Sequence, residues 1–377
     1  MKSILLTTTA LVAFAGAAAA DGHAAVSHEL SATLGYTSND NYGSADVIDP
    51  TEDFGEDGFF WEGNLKTTAT AGLDNGLTAG AYFEITVGED DAIDGSVTDD
   101  SEIGLVSSDF VVSLESDNAS LFFGDTGTAA DRHWASAGDM ESDFFTSGND
   151  SAALRGDVSF GGVDASISYL ADDTNNEAEQ LSFGAAGTFG IATITAAYQE
   201  ETSYVDGDGD FNGDEVAGIS GAVTFANATI TLAYADNMTD DTQSTGIKVS
   251  YPFGPVVGTV YYVEETGGVN EDPNYGVNVA YAAGAIDVEV DYQDDQGTEK
   301  YTVEGSYDVG NGLTVLAGVL NENEGDDVDY YAGATYDLGG GAVATLVYAE
   351  DVDGDQADEI GNDEFDPGFT VQVDFTF

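Results

Sequence analysis

Cysteine is absent from this chain of 377 residues, and lysine and arginine together number 6 against 72 aspartates and glutamates. Without cysteine there is no small disulfide scaffold, and a chain of this length can bury apolar surface without one. The formal net charge of -66 excludes a protein that tracks nucleic-acid phosphates. Divalent cations are more natural partners for it. The same charge also suits an exposed surface adapted to salty surroundings, where excess carboxylate keeps a protein hydrated. Proline (5) and methionine (3) are scarce beside 48 glycines, 19 tyrosines and 20 phenylalanines. With few helix-length apolar stripes, this is an inventory of strands and turns. Beyond the N-terminal segment, no stretch approaches the roughly 18 to 20 apolar residues that a spanning helix needs. If the chain crosses a membrane, it does so as strands.

The first twenty residues read as a cleaved export signal, with Lys2 at the start, an apolar core over 4–15 and an alanine run offering an A-x-A site. Residues 21–377 show no linker or shift of composition and read as one domain. From residue 58 onward one unit recurs: a strand, a tight turn, a strand and a longer acidic connection. Turns fall at Asp74-Asn75-Gly76, Ser116-Asp117-Asn118, Gly161-Gly162, Phe189-Gly190, Asn227, Phe253-Gly254, Ala283-Gly284, Gly310-Asn311-Gly312 and Gly339-Gly340-Gly341. Each is flanked by the period-two alternation of a half-buried strand. The acidic connections cover 89–101, 172–179, 206–215, 321–329 and 351–366. Nine turns with an opening and a closing strand predict about twenty strands, with sixteen or eighteen left open.

Residues 367–377 place Phe369, Val371, Val373, Phe375 and Phe377 on one face and Thr370, Gln372, Asp374 and Thr376 on the other. Such a strand, ending on an aromatic, resembles the closing strand of bacterial outer-membrane β-barrels. Tyrosines support the same reading. Tyr251, Tyr281, Tyr307 and Tyr336 precede short turns, whereas Tyr198, Tyr234, Tyr292 and Tyr348 precede acidic connections. Two aromatic rings a strand's length apart are what two membrane interfaces select. A large secreted β-sandwich or β-solenoid would share the glycine and the acidity, but has little reason to place tyrosines in this way.

If Leu65, Val158, Val249 and Val303 face lipid, alternation turns Lys66, Arg155, Lys248 and Lys300 inward. The remaining basic residue after the signal is Arg132, followed by His133 and Trp134 in a long connection over 125–150. A chain that discards positive charge elsewhere keeps it for the predicted interior, although Arg155 and Arg132 could simply neutralise Asp157 and Asp131. The same connection carries Asp125, Asp131, Asp139, Glu141 and Asp143, followed by Phe144 and Phe145, between the fifth and sixth predicted strands. It is similar to the third external loop of general diffusion porins, which folds into the barrel and narrows it.

These features, the segment Phe122-Phe123-Gly124-Asp125 and the hairpin at 331–342 make the chain resemble an alphaproteobacterial, trimeric general-diffusion porin of the Gram-negative outer membrane. The resemblance implies a transmembrane antiparallel up-and-down β-barrel of 16-20 strands, a homotrimer in contact with outer-membrane lipid and lipopolysaccharide. It implies passive diffusion of small hydrophilic solutes and ions through a water-filled pore. By this likeness Asp125, Asp131, Asp139, Glu141 and Asp143 form the acidic side of a constriction, near Arg132, and Lys66, Arg155, Lys248 and Lys300 the opposing wall. The chain departs from the pattern in lacking the usual tight cluster of wall arginines, and its strand count exceeds the usual sixteen.

Catalytic signatures are missing: no serine in a G-x-S-x-G context with partners, no zinc-ligand spacing and no phosphate loop. The chain reads as a channel rather than an enzyme, with no required cofactor. Asp206, Asp208, Asp210, Asn212 and Asp214 are spaced like a calcium loop, but Phe211 stands where an EF-hand needs glycine and Ala217 where it needs a bidentate glutamate. The spacing suits a weak surface Ca2+ site or a solvated acidic loop. Asp351, Asp353 and Asp355 form a weaker version. The functional expectation is a cation-preferring diffusion pore. Its alternatives are a substrate-specific channel for sugars or dicarboxylates and a non-conducting, calcium-bridged surface barrel.

Overall fold

The computed structural model describes residues 24–38, 58–89, 103–106, 110–148, 152–171, 178–203, 211–321, 328–350, 365 and 367–377. The expected signal segment, most of the acidic connections, and Asp351, Asp353 and Asp355 lie outside the described residues. In chain order the first strands are β1 (Ala24–Ser38), β2 (Gly58–Gly72), β3 (Thr78–Glu89), β4 (Ile103–Val106), β5 (Phe110–Glu115) and β6 (Ala119–Gly124). A short helix, α1 (Ala129–His133), follows, then β7 (Ala153–Phe160), β8 (Val163–Ala171), β9 (Ala178–Phe189), β10 (Ala192–Gln199), β11 (Val216–Phe225) and β12 (Ala228–Asn237). The series continues with β13 (Thr242–Phe253), β14 (Val256–Thr266), β15 (Asn274–Ala283), β16 (Ile286–Asp295) and β17 (Thr298–Gly310). It ends with β18 (Leu313–Asn321), β19 (Asp329–Gly339), β20 (Ala342–Glu350) and β21 (Gly368–Thr376).

Apart from β4 and β5, consecutive strands pair antiparallel, and β1 pairs with β21 from Ser31↔Thr376 to Ser38↔Phe369. The described segments number 21, but β4 and β5 both pair with β3 and share one place, so 20 strands close the ring. The upper end of the expected range is the observed one. Phe377 N donates to Leu30 O at 2.8 Å and completes the seam. Closure leaves no open sheet edge along the seam, which is what lets strands stand where no water can satisfy a backbone group.

Side-chain burial shows which solvent lies on each face. On β12 the alternate residues Ile230, Leu232 and Tyr234 are 44%, 58% and 36% exposed, while Thr231, Ala233 and Ala235 between them are at most 8% exposed. A sheet protein in water would bury the apolar set. Here Leu346, Val371 and Phe225 stand exposed while Ser168, Gln199 and Asn274 are buried. An outward apolar band over a polar interior is the pattern of a barrel in lipid. Aromatic contacts such as Tyr36–Phe59 and Tyr348–Phe369, with ring centroids 5.0 and 4.7 Å apart, mark the ends that carry the long connections. Exposed Phe160, Phe225 and Phe253 mark the ends with tight turns.

All nine turns expected from sequence join consecutive strands. At Ala226 and Asn227 both turn residues have positive φ (49° and 69°), matching the right-handed twist of the flanking strands. The opposite end is less uniform than expected. Gln296 and Gly297 (φ 49° and 99°) join β16 to β17 as a tight turn, so acidic flanks there do not make a long loop.

Leu346→Arg, at the centre of β20 and facing outward, should lower stability by about 2 to 4 kcal/mol, whereas Thr345→Arg, facing inward, should cost about 1 kcal/mol or less. Reversible urea unfolding from lipid vesicles checks both, and equal losses would contradict the face assignment.

Candidate pore constriction

The chain leaves β6 at Gly124, whose φ of +124° is open only to glycine, and a Cβ there would lie 1.9 Å from Phe110 O. Asp125 then braces the strand end, with its Oδ2 accepting from Phe110 N at 2.6 Å and its own N donating to Phe110 O at 2.9 Å. From here residues 126–148 run across the inner face of the barrel instead of outward. Thr128 caps α1, accepting from Asp131 N, and its hydroxyl donates to Thr146 O at 2.6 Å, which ties the two limbs of the loop together.

The wall supplies a row of inward polar side chains. Ser168 on β8 and Ser182 on β9 accept from Ala129 N (2.8 and 3.1 Å), and Gln199 on β10 accepts from Thr146 N at 2.9 Å. Ser244 on β13 accepts from Ser142 N at 2.9 Å, Asn274 on β15 donates to Glu141 Oε1 at 3.0 Å, and Gln293 on β16 donates to Asp139 Oδ2 at 2.7 Å. The serines and Gln199 satisfy N–H groups of the buried loop residues Ala129, Ser142 and Thr146 that would otherwise lack partners. Glycines complete the bed: a Cβ at Gly184 would meet Ala129 O at 2.0 Å, and at Gly218 the Trp134 ring at 2.3 Å. Ala137 and Met140 pack with Ala233, Ala235 and Val263 of the wall. Trp134 packs on Phe145 (centroids 5.4 Å apart), and its Nε1 donates to Asp143 Oδ2 at 2.8 Å.

The basic residues fall into two groups. Arg155 on β7 is 6% exposed; its guanidinium donates to Thr126 O, to Gly127 O at 2.8 Å and to Asp157 Oδ1 at 3.1 Å. Arg132, from the loop, approaches the same Asp157 at 3.9 Å. Lys300 on β17 pairs with Asp295 at 3.1 Å, and the carboxylate acting on Lys248 of β13 is Asp143. These four stand with the loop. Lys66 on β2, in the half of the ring that the loop does not line, lies 4.6 Å from the centroid of Tyr82 and opposite Glu84 across the strand pair. The geometry therefore gathers Asp131, Asp139, Glu141, Asp143, Arg132, Arg155, Lys248 and Lys300, leaves Asp125 at the strand end and sets Lys66 apart.

Asp206, Asp208 and Asp210 lie outside the described residues. Asn212 and Asp214 serve the loop and wall: Asn212 O accepts from Gln180 and Gln199, and Asp214 Oδ2 accepts from Asn237 at 2.7 Å. The anchoring serines, glutamines and glycines went unread in the sequence, as did the His133 Nε2–Ser166 Oγ contact of 2.7 Å. Their one sequence signal is a run of small polar residues at inward positions near strand ends.

Burial pushes Asp139 up to about 6 and Asp143 up to about 7. Neighbouring carboxylates reinforce the shift, Asp295 and Glu141 for Asp139, while the Trp134 hydrogen bond opposes it at Asp143. Burial, and then Arg132, lower the His133 imidazole from its ordinary value.

A closed β-barrel whose outer face suits lipid, whose inner face is polar and whose lumen is narrowed by an inward loop defines a transmembrane channel. Residues 7–357 match the family described as Gram-negative porin, and the chain belongs to that family. It is a non-enzymatic channel of the outer membrane. Among solved structures the chain is similar to a substituted form of Rhodopseudomonas blastica porin, with 15% identity and a TM-score of 0.47 over 93% of this chain and 100% of that one. A second substituted form gives 16% identity and a TM-score of 0.46 over 94% and 100%. No curated protein matches the chain.

Because the docked-loop carboxyls have raised pKa values, docking is most favourable below the free value of 3.8 and weakens as pH rises through about 6 and 7. In a Trp61→Phe background, Trp134 emission should therefore shift to the red between pH 5 and 8, and Asp143→Asn should remove the upper part of the shift. Emission that does not change with pH would contradict the linkage.

Proposed function

We propose that the channel passes small hydrophilic solutes and ions by passive diffusion and prefers cations. The observation that carries this reading is the column Asp287, Glu289 and Asp291 on inward positions of β16, with Glu289 directly opposite Glu304 of β17. Asn278 donates to Glu289 and Asp291 at 2.6 and 2.8 Å, which holds two carboxylates side by side on the wall. Glu84, Asp157 and Asp164 add further inward carboxylates. Fixed negative charge on a low-dielectric wall raises the local cation concentration and repels anions, so the mechanism is electrodiffusion with no conformational step. The proposed constriction is the loop with Asp131, Asp139, Glu141 and Asp143, close to Arg132, Arg155, Lys248 and Lys300.

By resemblance to alphaproteobacterial general porins, the functional unit is a homotrimer in contact with lipopolysaccharide; its mass in mild detergent tests the trimer. Removal of residues 1–20 to leave one barrel domain rests on the sequence pattern, and N-terminal sequencing of the mature protein checks it. The weak Ca2+ site rests on the spacing of Asp206, Asp208, Asp210, Asn212 and Asp214. Calorimetric titration with Ca2+ tests it. Saturable binding of one sugar or dicarboxylate would favour a substrate-specific channel, and calcium binding without conductance a surface barrel.

In a tenfold KCl gradient the reversal potential should have the sign of potassium permeation. The preference should shrink between 0.1 and 1 M salt as the screening length falls from about 10 to 3 Å. The double substitution Glu289→Gln with Glu304→Gln should reduce the cation-to-anion permeability ratio roughly twofold. A wild-type reversal potential of anion sign would reject the reading.

A further inference from the structure

Within the constriction loop lies an open recess of about 550 Å³, and each described residue lining it belongs to the loop itself. It therefore opens from the fold of the loop rather than from the wall beneath. Two kinds of group line it. Asp131 and Glu141 are exposed at its surface, and Asp139 and Asp143 are half-buried. Between them stand Trp134, Phe145 and Phe144, the last 49% exposed. An aromatic ring half open to water in the lumen of a channel is not accounted for by packing: Phe145 is 5% exposed and fills the core beside Trp134, whereas Phe144 turns away from it.

We propose that this recess is a binding site for organic ammonium cations that carry an aromatic or apolar body. Carboxylates alone would serve any cation. The rings add what an inorganic ion cannot use, because a desolvated alkylammonium is attracted to the face of an aromatic ring and its body buries apolar surface there. Among the described residues no base lines the recess. Arg132 and Arg155 turn to Asp157 and Lys300 pairs with Asp295, while Lys300 and Lys248 act on Asp139 and Asp143 from the wall side. The volume admits a single-ring ammonium compound, and the hydrogen bonds of Trp134 to Asp143 and of Gln293 to Asp139 hold the site in shape before a ligand arrives. This site rests on the cation-preferring pore proposed above and gives it a resident solute class.

Benzyltrimethylammonium, added to the purified channel in a planar bilayer in KCl at pH 8, should reduce the current in a saturable way. Neutral benzyl alcohol and anionic benzenesulfonate at the same concentrations should not. Phe144→Ala and Glu141→Gln, both at exposed positions, should each raise the half-blocking concentration about fivefold. Quenching of Trp134 emission by the same cation in the Trp61→Phe background gives a readout independent of current. Absence of saturable block and quenching, or block unaltered by both substitutions, overturns the site while leaving a cation-signed KCl reversal potential intact. An anion-signed potential in the wild type overturns the pore reading and this site with it.

Discussion

Lipid offers no hydrogen-bond partners to a peptide, and that constraint governs the rest of this molecule. Each strand must find its backbone partners in its neighbours, and β1 must find β21, so the sheet closes. Once it is closed, one set of alternate side chains faces hydrocarbon and the other faces a lumen. The exposed Leu232 and Leu346 and the buried Ser168 and Asn274 follow from that division, and so does the inward placement of Lys66, Arg155, Lys248 and Lys300.

The loop inside the lumen meets the opposite problem. It brings polar backbone into a confined space, where each unpaired group is costly, and the wall answers with one side chain after another, from Ser168 and Ser182 through Gln199 and Ser244 to Asn274 and Gln293. Glycines at Gly184 and Gly218 let loop and wall approach closely. Arg155 fixes the entry through two backbone carbonyls. Its charge thus serves position as well as field, and it meets the wall carboxylate Asp157 at 3.1 Å together with Arg132 at 3.9 Å.

Much of the barrel was legible because its signals are local. Period-two alternation and left-handed turn residues such as Asn227 and Gly312 act within a few residues, so the nine hairpins and the count near twenty could be read directly. The tight turn at Gln296 and Gly297 was missed because its acidic flanks look like those of a long connection. The loop itself was visible as an overlong aromatic and acidic interruption. What it rests on was not: a serine at 168 and an asparagine at 274 carry no mark of meeting residues 129 and 141.

By itself, then, the sequence determined the solvent on each face, the strand-and-turn order and the excess of carboxylate, since these depend on residue type and near neighbours. Tertiary structure alone decided which carboxylates share a space, which bases are spent on Asp157 and Asp295, and that Phe144 is left open beside Glu141. Several of these partners are near neighbours in sequence, Arg155 and Asp157 two residues apart and Lys300 and Asp295 five, but which of them meet depends on how the loop seats on strands far along the chain, as Ser142 does on Ser244 and Asp139 on Gln293. Such contacts exist only once the ring has closed around the loop.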